Sequence, residues 1–399
     1  MRKTIVLATD KNYLDKALVT IKSVSVYNRD VDFYLFHQGE VPTEWIRTVN
    51  YQLKQLGSTL KNVIISNRQI ERFQTFLTAS SWLRLFIPEF VPSDKVLYLD
   101  SDVIVNINLD DLFALDLKED YIAAVQDPNK NESGNFNSGV MLINASLWRE
   151  QGLTDKLLRT AEAMHHLVRN GDQSILNIVC DQKWLALDKT YNYQTYDVVS
   201  RYEHRAYLYE DLKDEVPSMV HFLTSDKPWN SYSVARFREL WWYYFQLEFS
   251  QMDGQRKKPV SYEEAMATVV YSDKNIFILT ETDQLEQIGF LIESLPDYQF
   301  HIAAYTMVSE KLSILASYDN VLIYPEIIDA RVEKLLKYCD IYLDINHYAE
   351  VRDIVPRAHQ LNKVILAFDT TAHHPQLANQ IISSHEPEKM VAFLKQITI

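Results

Sequence analysis

Lys95-Val-Leu-Tyr-Leu-Asp100-Ser-Asp102 is the stretch on which the reading of this chain turns. After Lys95 the run is apolar, as a buried strand requires, and the chain then delivers two carboxylates separated by one serine. Acids at that spacing, at the end of a strand, can face one cleft and share a hard divalent cation through oxygen ligands. Taken alone, such a pair is more often a capped turn than a metal site, so its surroundings decide.

Those surroundings alternate between strand and helix. Thr4-Ile-Val-Leu-Ala8 reads as a buried strand, followed by a helix carrying Ser23, Val24 and Val26. Val31-Asp-Phe-Tyr-Leu-Phe36 is a second strand, with a helix predicted over 44–56 and a third strand over 61–65. A helix near 81–87 precedes the acidic stretch. A strand over 121–125 and the apolar run Gly139-Val-Met-Leu-Ile143 follow it. Repetition of this unit predicts an α/β fold with helices covering a mostly parallel sheet.

Gln251-Met-Asp-Gly-Gln-Arg-Lys-Lys-Pro259 is polar, basic and interrupted by Gly254 and Pro259, which marks a linker. The alternation then restarts in Asn275-Ile-Phe-Ile-Leu279, Phe300-His-Ile-Ala-Ala304, Asn320-Val-Leu-Ile-Tyr324, Asp340-Ile-Tyr-Leu-Asp344 and Lys363-Val-Ile-Leu-Ala-Phe368. Five such strands predict a smaller Rossmann-like domain. The expected organisation is a first domain over 1–255, a basic linker over 256–271 and a second domain over 272–399. Just before the linker, the aromatic helix containing Trp241, Trp242, Tyr243 and Tyr244 has two readings. One is a helix clamped between the domains; the other is an interfacial anchor, with Arg256, Lys257 and Lys258 meeting anionic lipid.

Composition narrows the function. With 40 Lys+Arg against 54 Asp+Glu the net charge is -14, which repels a polyphosphate backbone and argues against a nucleic-acid binder. The 8 glycines assemble neither G-x-G-x-x-G nor a P-loop; the nearest approach, Gly134 to Gly139, lacks the phosphate-binding Lys. Cys180 and Cys339 make no disulfide framework or zinc spacing, which fits a reducing compartment. Asp10 and Lys11 end the first apolar run far short of a signal peptide, and no run reaches the ~18 apolar residues of a membrane span. The expectation is a cytoplasmic protein, at the inner membrane face if the aromatic helix is an anchor. The pairs His165-His166 and His373-His374 lack the i, i+4 spacing of a helical metal site and read as solvent-facing.

The acidic stretch stands in order with other motifs: Ala8-Thr-Asp10-Lys-Asn12-Tyr13, Arg84 in Leu-Arg-Leu-Phe, Phe136-Asn137-Ser138-Gly139, Gly171-Asp172-Gln173-Ser-Ile-Leu-Asn177, and His221-Phe222 followed by Lys227-Pro228-Trp229. In these pieces the first 250 or so residues resemble the family 8 glycosyltransferases, the retaining GT-A group that includes glycogenin and bacterial lipopolysaccharide α-galactosyltransferases. The resemblance implies a hexosyltransferase that moves galactose or glucose from a UDP-sugar to a glycan or glycoprotein acceptor. It implies Asp100, Asp102 and His221 as metal ligands, a set that suits Mn²⁺ better than Mg²⁺. The same resemblance gives Ala8, Asp10, Asn12, Arg84, Asp100, Ser101, Asn137, Ser138, Asp172, Gln173 and Lys227 as donor-binding residues, with Gln173 and Asp172 as the catalytic pair. An amide is a poor nucleophile, so a front-face route is chemically easier than a covalent intermediate. Two positions depart from the family: Ser174 follows Gln173 where an acid is frequent, and Thr224 replaces the usual Gly after His221.

The second domain resembles the nucleotide-binding half of bacterial GT-B glycosyltransferases, chiefly in Cys339-Asp-Ile-Tyr-Leu-Asp-Ile-Asn-His347. It lacks a Gly-rich phosphate signature, so the expectation is an add-on for acceptor or partner docking. Similar fusions occur among enzymes that glycosylate serine-rich-repeat adhesins of Gram-positive bacteria. The rivals to an enzyme are a catalytically silent scaffold of a glycosylation complex, which intact Asp100, Asp102, His221 and Gln173 disfavour, and a nucleotidyltransferase, which the missing Gly-rich loop disfavours.

Overall fold

A computed structural model describes residues 2–66, 69, 79–127, 134–168, 170–195, 216–223, 226–230, 233, 235–269, 274–306, 308–325, 327 and 329–397. The chain divides into two compact units, residues 1–224 with 240–262, and residues 225–239 with 263–399.

In the first unit β1 (Lys3–Ala8), β2 (Val31–His37), β3 (Thr59–Ile64), β4 (Lys95–Leu99), β6 (Ile122–Gln126), β7 (Phe136–Asn144) and β8 (Trp184–Ala186) form one sheet in the order β3-β2-β1-β4-β7-β6-β8. β7 runs antiparallel to β4 and β6, whereas the pairs of β1 with β2 and β4, β2 with β3, and β6 with β8 are parallel. β1 is buried along its whole length and β4 beyond Lys95, which explains their continuous apolar runs. Strand order reverses direction between β1 and β4, so a crevice opens at their carboxyl ends, beside Ala8 and Asp100. A small second sheet, β5 (Val103–Val105), β10 (Met219–His221) and β9 (Tyr193–Gln194), lies outside the sequence-based reading because its strands have at most three residues and no legible period.

The helix Leu14–Tyr27 follows β1 as expected, and the 44–56 expectation becomes the helix Thr43–Leu53 with a 3₁₀ turn, Lys54–Leu56. The helix expected near 81–87 is broken. Ala79–Trp82 is helical, Leu83–Phe86 is a 3₁₀ turn, and Ile87–Phe90 restarts with Pro88 in its first turn, where the missing N–H costs nothing. Trp82, Phe86, Tyr98, Phe136 and Trp148 anchor the core against these segments.

Part of the stretch read as a linker docks on the first unit. Val260 is fully buried; its N–H reaches Tyr27 Oη at 3.0 Å and Asn106 Oδ1 at 2.9 Å, and its carbonyl accepts from Asn106 Nδ2 at 3.1 Å. Tyr27 and Tyr244 also donate to Asn106 Oδ1. In the helix Arg238–Gln246, Trp241 and Tyr244 are buried, Trp242 is half-buried and Phe245 is exposed. Arg256 folds back on the carbonyls of Lys258 and Pro259, and Lys257 and Lys258 face solvent.

The second unit holds an all-parallel sheet of β11 (Asn275–Thr280), β12 (Gln299–Ala304), β13 (Val321–Tyr324), β14 (Ile341–Asp344), β15 (Val364–Phe368) and β16 (Gln380–Ile382), in the order β13-β12-β11-β14-β15-β16. The five expected strands are present. β16 adds a sixth that the sequence hid, because it is three residues long and exposed at two of them. The pair His373 and His374 is not solvent-facing: His373 Nδ1 lies 2.6 Å from Asp344 Oδ1 and its Nε2 lies 2.9 Å from Tyr348 O, while His374 Nε2 lies 2.9 Å from Glu350 Oε2. Buried Asp344 needs such partners, and the turn after β15 supplies them. Cys180 and Cys339 are buried free thiols. Among the described residues no helix is long and apolar enough to cross a membrane.

Asn106→Ala would strand the buried groups that converge on this amide. The first urea transition should lose roughly 2–3 kcal/mol, and trypsin should cut faster after Lys257. Unchanged stability and cleavage would mean that Asn106 does not hold the 240–262 segment.

Candidate active site

The site starts from the turn between β4 and β5. Asp100 N–H donates to Gly139 O at 2.8 Å, and Val103 N–H returns to Asp100 O at 3.2 Å, so both acids sit on one tight turn at the sheet's carboxyl edge. β10 pairs antiparallel with β5, setting His221 opposite Val103, and Phe222 N–H donates to Asp102 O at 3.1 Å. This register carries His221 Nε2 to 3.3 Å from Asp102 Oδ1 and 3.6 Å from Asp100 Oδ2. One donor atom from each of the three residues lies within 4.8 Å of the others. Gly139 makes the approach feasible, because a Cβ there would overlap the His221 ring and lie 2.8 Å from Asp100 Oδ2. Two carboxylate oxygens and an imidazole nitrogen converging across a glycine fit a divalent cation.

Arg84, in the tight turn before Pro88, is buried among the acids. Its Nη2 lies 2.9 Å from Asp100 Oδ1 and its Nη1 donates to Ser138 O at 2.9 Å and Ser138 Oγ at 3.2 Å. Nε lies 3.0 Å from Asp172 Oδ2, but its hydrogen is directed at Ser81 O, so the Asp172 pair is held by charge without an aligned hydrogen bond. Tyr98 lies under the guanidinium, 4.5 Å from ring centre to carbon, and donates to Asp100 Oδ1 at 2.7 Å. With Oδ1 so engaged, Asp100 Oδ2 is the oxygen turned to His221. Burial works against the Arg84 charge, yet Asp100 and Asp172 outweigh it and hold the guanidinium above its ordinary value. Burial pushes Asp172 up to about 6, with Arg84 opposing. Burial likewise keeps the Tyr98 phenol well above its usual range and therefore a neutral donor.

A chain of amides runs beside this charged group. Asn177 accepts from Phe136 N–H at 2.8 Å and donates to Phe136 O at 2.9 Å, clamping the helix Gly171–Val179 to the start of β7. One turn earlier on the same helix, Gln173 Oε1 accepts from Ser138 N–H at 3.1 Å and from Asn137 Nδ2 at 3.2 Å, and its Nε2 donates to Asp127 Oδ2 at 2.8 Å. Asn137 Oδ1 accepts from Gly139 N–H at 3.0 Å and from Asn192 Nδ2 at 2.9 Å. Asn192 Oδ1 in turn faces His221 Nδ1 at 3.2 Å.

A cavity of about 190 Å³ opens at the switch point, lined by Ala8, Asp10, Ser101 and both acids, and by Thr9, Tyr13, Ser80, Ser81, Arg84 and Tyr98. Ser101 Oγ donates to Ala8 O at 2.9 Å, tying β1 to the acidic turn, and Asp10 accepts from Asn12 N–H at 2.7 Å to cap the turn Lys11–Tyr13. Asn12 is exposed and does not line the cavity. Asn137, Ser138, Asp172, Gln173 and His221 join through the contacts above. Lys227 belongs to the 225–239 segment of the second unit, with its Nζ 5.8 Å from the Trp229 ring centre. Thr224 lies outside the described residues. The sequence reading missed Tyr98, Asp127 and Asn192. Tyr98 was findable, since strand period 2 puts it on the face of Asp100, and Asp127 lies two residues beyond a predicted strand. Asn192 carries no sequence signal.

An α/β sheet whose switch-point crevice ends in paired carboxylates, a histidine and a buried arginine defines a glycosyltransferase of the GT-A class. The chain belongs to glycosyltransferase family 8, whose sequence model matches residues 4–233; the model of the GftB/GlyA-F C-terminal domain matches residues 276–399. Glycosyltransferase GlyF of Streptococcus pneumoniae is 39% identical over 406 residues, covering 100% of both chains. The crystal structure of glycosyltransferase GlyE from the same species superposes with a TM-score of 0.57 at 32% identity, covering 99% of each chain. The second unit is also similar to GtfB of Streptococcus agalactiae, described as a UDP-N-acetylglucosamine–peptide N-acetylglucosaminyltransferase stabilizing protein. That likeness is 43% identity over 127 residues, 31% of this chain and 29% of that one.

Two measurements test the geometry. Gly139→Ala should fold, because the new methyl meets side chains, but it displaces His221 and should abolish divalent-cation binding in calorimetry; retained binding would contradict the packing argument. Arg84→Leu removes the charge opposing Asp172 protonation, so the Asp172 carboxyl, followed by ¹³C NMR, should titrate above about 6. Because the folded value exceeds the unfolded one, the contribution of Asp172 to stability is full below about 4 and is lost as pH rises through about 6.

Proposed function

We propose that this glycosyltransferase moves galactose or glucose from a UDP-sugar to a glycan acceptor with retention of configuration, and that the acceptor is the O-glycan of a serine-rich-repeat surface protein. The observation that carries the reading is the convergence of Asp100, Asp102 and His221 beside a crevice floored by buried Arg84. These three residues would hold Mn²⁺, in preference to Mg²⁺ because of the imidazole; the bound ion would neutralise the diphosphate that two carboxylates otherwise repel. Asp10, Asn12, Ala8 and Ser101 are assigned to the uridine end, and Arg84, Asn137, Ser138, Asp172 and Lys227 to the sugar and diphosphate.

Gln173 faces the transferred sugar in this reading. Its Oε1 already accepts from Ser138 N–H and Asn137 Nδ2, which withdraws the lone pairs a nucleophile would use, and its neighbour Ser174 is no carboxylate. Both features favour a front-face reaction in which the fixed amide dipole stabilises positive charge developing on the sugar.

Donor chemistry is assigned to residues 1–255, joined through 256–271 to a docking domain over 272–399. The likeness of that domain to GtfB, by its description a stabilizing protein, supports a role in holding an acceptor or a partner of the glycosylation machinery. The membrane reading of the aromatic helix now rests on Trp242 and Phe245 with Lys257 and Lys258, since Trp241 is buried. Sedimentation with anionic liposomes decides it.

UDP release from UDP-galactose and UDP-glucose should require Mn²⁺ and stop with EDTA, and Asp102→Ala or His221→Ala should lower turnover by about a hundredfold or more with the fold intact. ¹H NMR of the first-formed product should show an α-linkage. Equal UDP affinity with and without Mn²⁺, or no turnover of either donor with any acceptor glycan, would remove the proposal and leave the scaffold role.

A further inference from the structure

The direction of every amide in the chain from His221 to Gln173 is fixed by backbone groups whose polarity is certain. Gly139 N–H can only donate, so the Asn137 atom 3.0 Å away is its oxygen. The Asn192 atom bonded to that oxygen at 2.9 Å must then be nitrogen, which turns Asn192 Oδ1 to His221 Nδ1 at 3.2 Å. An amide oxygen accepts only, so Nδ1 carries a hydrogen. At the far end Ser138 N–H fixes Gln173 Oε1 in the same way, at 3.1 Å, and Asn137 Nδ2 donates to it, as the first step requires. The two anchors agree on one orientation throughout.

We infer that Asn192 is a positioning residue: it fixes the His221 tautomer that leaves Nε2 unprotonated toward Asp100 and Asp102, and it ties that ring to the Asn137–Gln173 end of the cleft. This rests on the metal-site reading above. The alternative tautomer is a real competitor. A hydrogen on Nε2 would find Asp102 Oδ1 at 3.3 Å and Asp100 Oδ2 at 3.6 Å, and in an imidazole left to itself those carboxylates would attract it and spoil the ligand. Asn192 is fully buried, at the end of the 3₁₀ turn Lys189–Asn192, and β9 next to it pairs with β10 so that Tyr193 lies opposite Val220 and Gln194 opposite His221. The backbone that carries the amide is therefore fixed in register against the strand that carries the histidine. Outer partners of this kind alter metal affinity by about 10–100-fold in other sites.

The experiment uses the full chain, ¹⁵N-labelled at histidine, with Asn192→Ala and Asn192→Asp. Long-range ¹H–¹⁵N correlation on the metal-free protein at alkaline pH, with the His221 signals assigned by their loss in His221→Gln, reports which ring nitrogen bears hydrogen. Wild type should be protonated at Nδ1; Asn192→Asp should stay so, its outer oxygen accepting from Nδ1 while a proton on the inner oxygen replaces the hydrogen that Asn192 Nδ2 gives Asn137 Oδ1; Asn192→Ala should shift to Nε2. Calorimetry of Mn²⁺ with saturating UDP should show a ~10–100-fold loss for Asn192→Ala and recovery to within a few-fold for Asn192→Asp. Circular dichroism identifies an unfolded Ala variant, in which case the wild-type spectrum and the Asp variant decide. Wild type protonated at Nε2, or a folded Ala variant with unchanged affinity, overturns the inference. A wild type that binds no Mn²⁺ with UDP would instead count against the metal site, and the tautomer would still report on Asn192.

Discussion

A guanidinium sealed inside a protein needs compensating charge, and in this one Arg84 is the group around which the rest of the cleft is arranged. Asp100 and Asp172, from the turn after β4 and from the helix Gly171–Val179, stabilise it, and Ser81 O, Ser138 O and the Tyr98 ring fill its remaining directions. Removing one partner from such a group leaves an uncompensated buried charge, which costs more than the pair contributes. The same interaction sorts the oxygens of Asp100: one faces Arg84 and Tyr98, the other faces His221. Structural and chemical duties are thereby divided between two atoms of a single carboxylate.

Steric fit then completes what charge begins. Gly139 is needed because its missing Cβ is the space into which the His221 ring packs. β10 brings that ring in by pairing with β5, and the amides of Asn192, Asn137 and Gln173 lock the neighbouring groups in one polarity. Preorganised dipoles of this kind need not reorient as charge develops, which is where a transferase gains most of its rate.

The second unit shares with the first only the order of its first four strands, β13-β12-β11-β14 matching β3-β2-β1-β4, and carries different chemistry. Its strand order also reverses, between β11 and β14, but the acid at that switch point, Asp344, is buried and already bonded to His373 Nδ1 and to the His373 N–H. A carboxylate so occupied has no free oxygen to offer a cation, in contrast to Asp100. Burial raises Asp344 against the lowering effect of its two His373 bonds, and burial works to lower His373, where the bond to Asp344 outweighs it and holds the imidazole above its ordinary value.

The acid pair closing β4 and the glycine and amides of Phe136-Asn137-Ser138-Gly139 stood out as a site only through the resemblance of their motifs to a known family. Strand and helix alternation was legible in the sequence, because strand period and apolar runs are local properties of the chain. So was the restart of the pattern near residue 275, though not β16, too short and exposed to leave a period. The docking of Val260 on Tyr27 and Asn106 was not legible: a polar, proline-ended segment looks the same whether it is free or bonded to a buried amide. Nor was the embrace of His373 by Asp344, since the two belong to different strand ends brought together by a parallel crossover. Local sequence determined which residues could ligate, donate or stack. Only tertiary structure decided that His221 lies opposite Val103 and that Asn192 reaches its ring, because register between distant strands is set by how the whole sheet packs, and no residue carries that information alone.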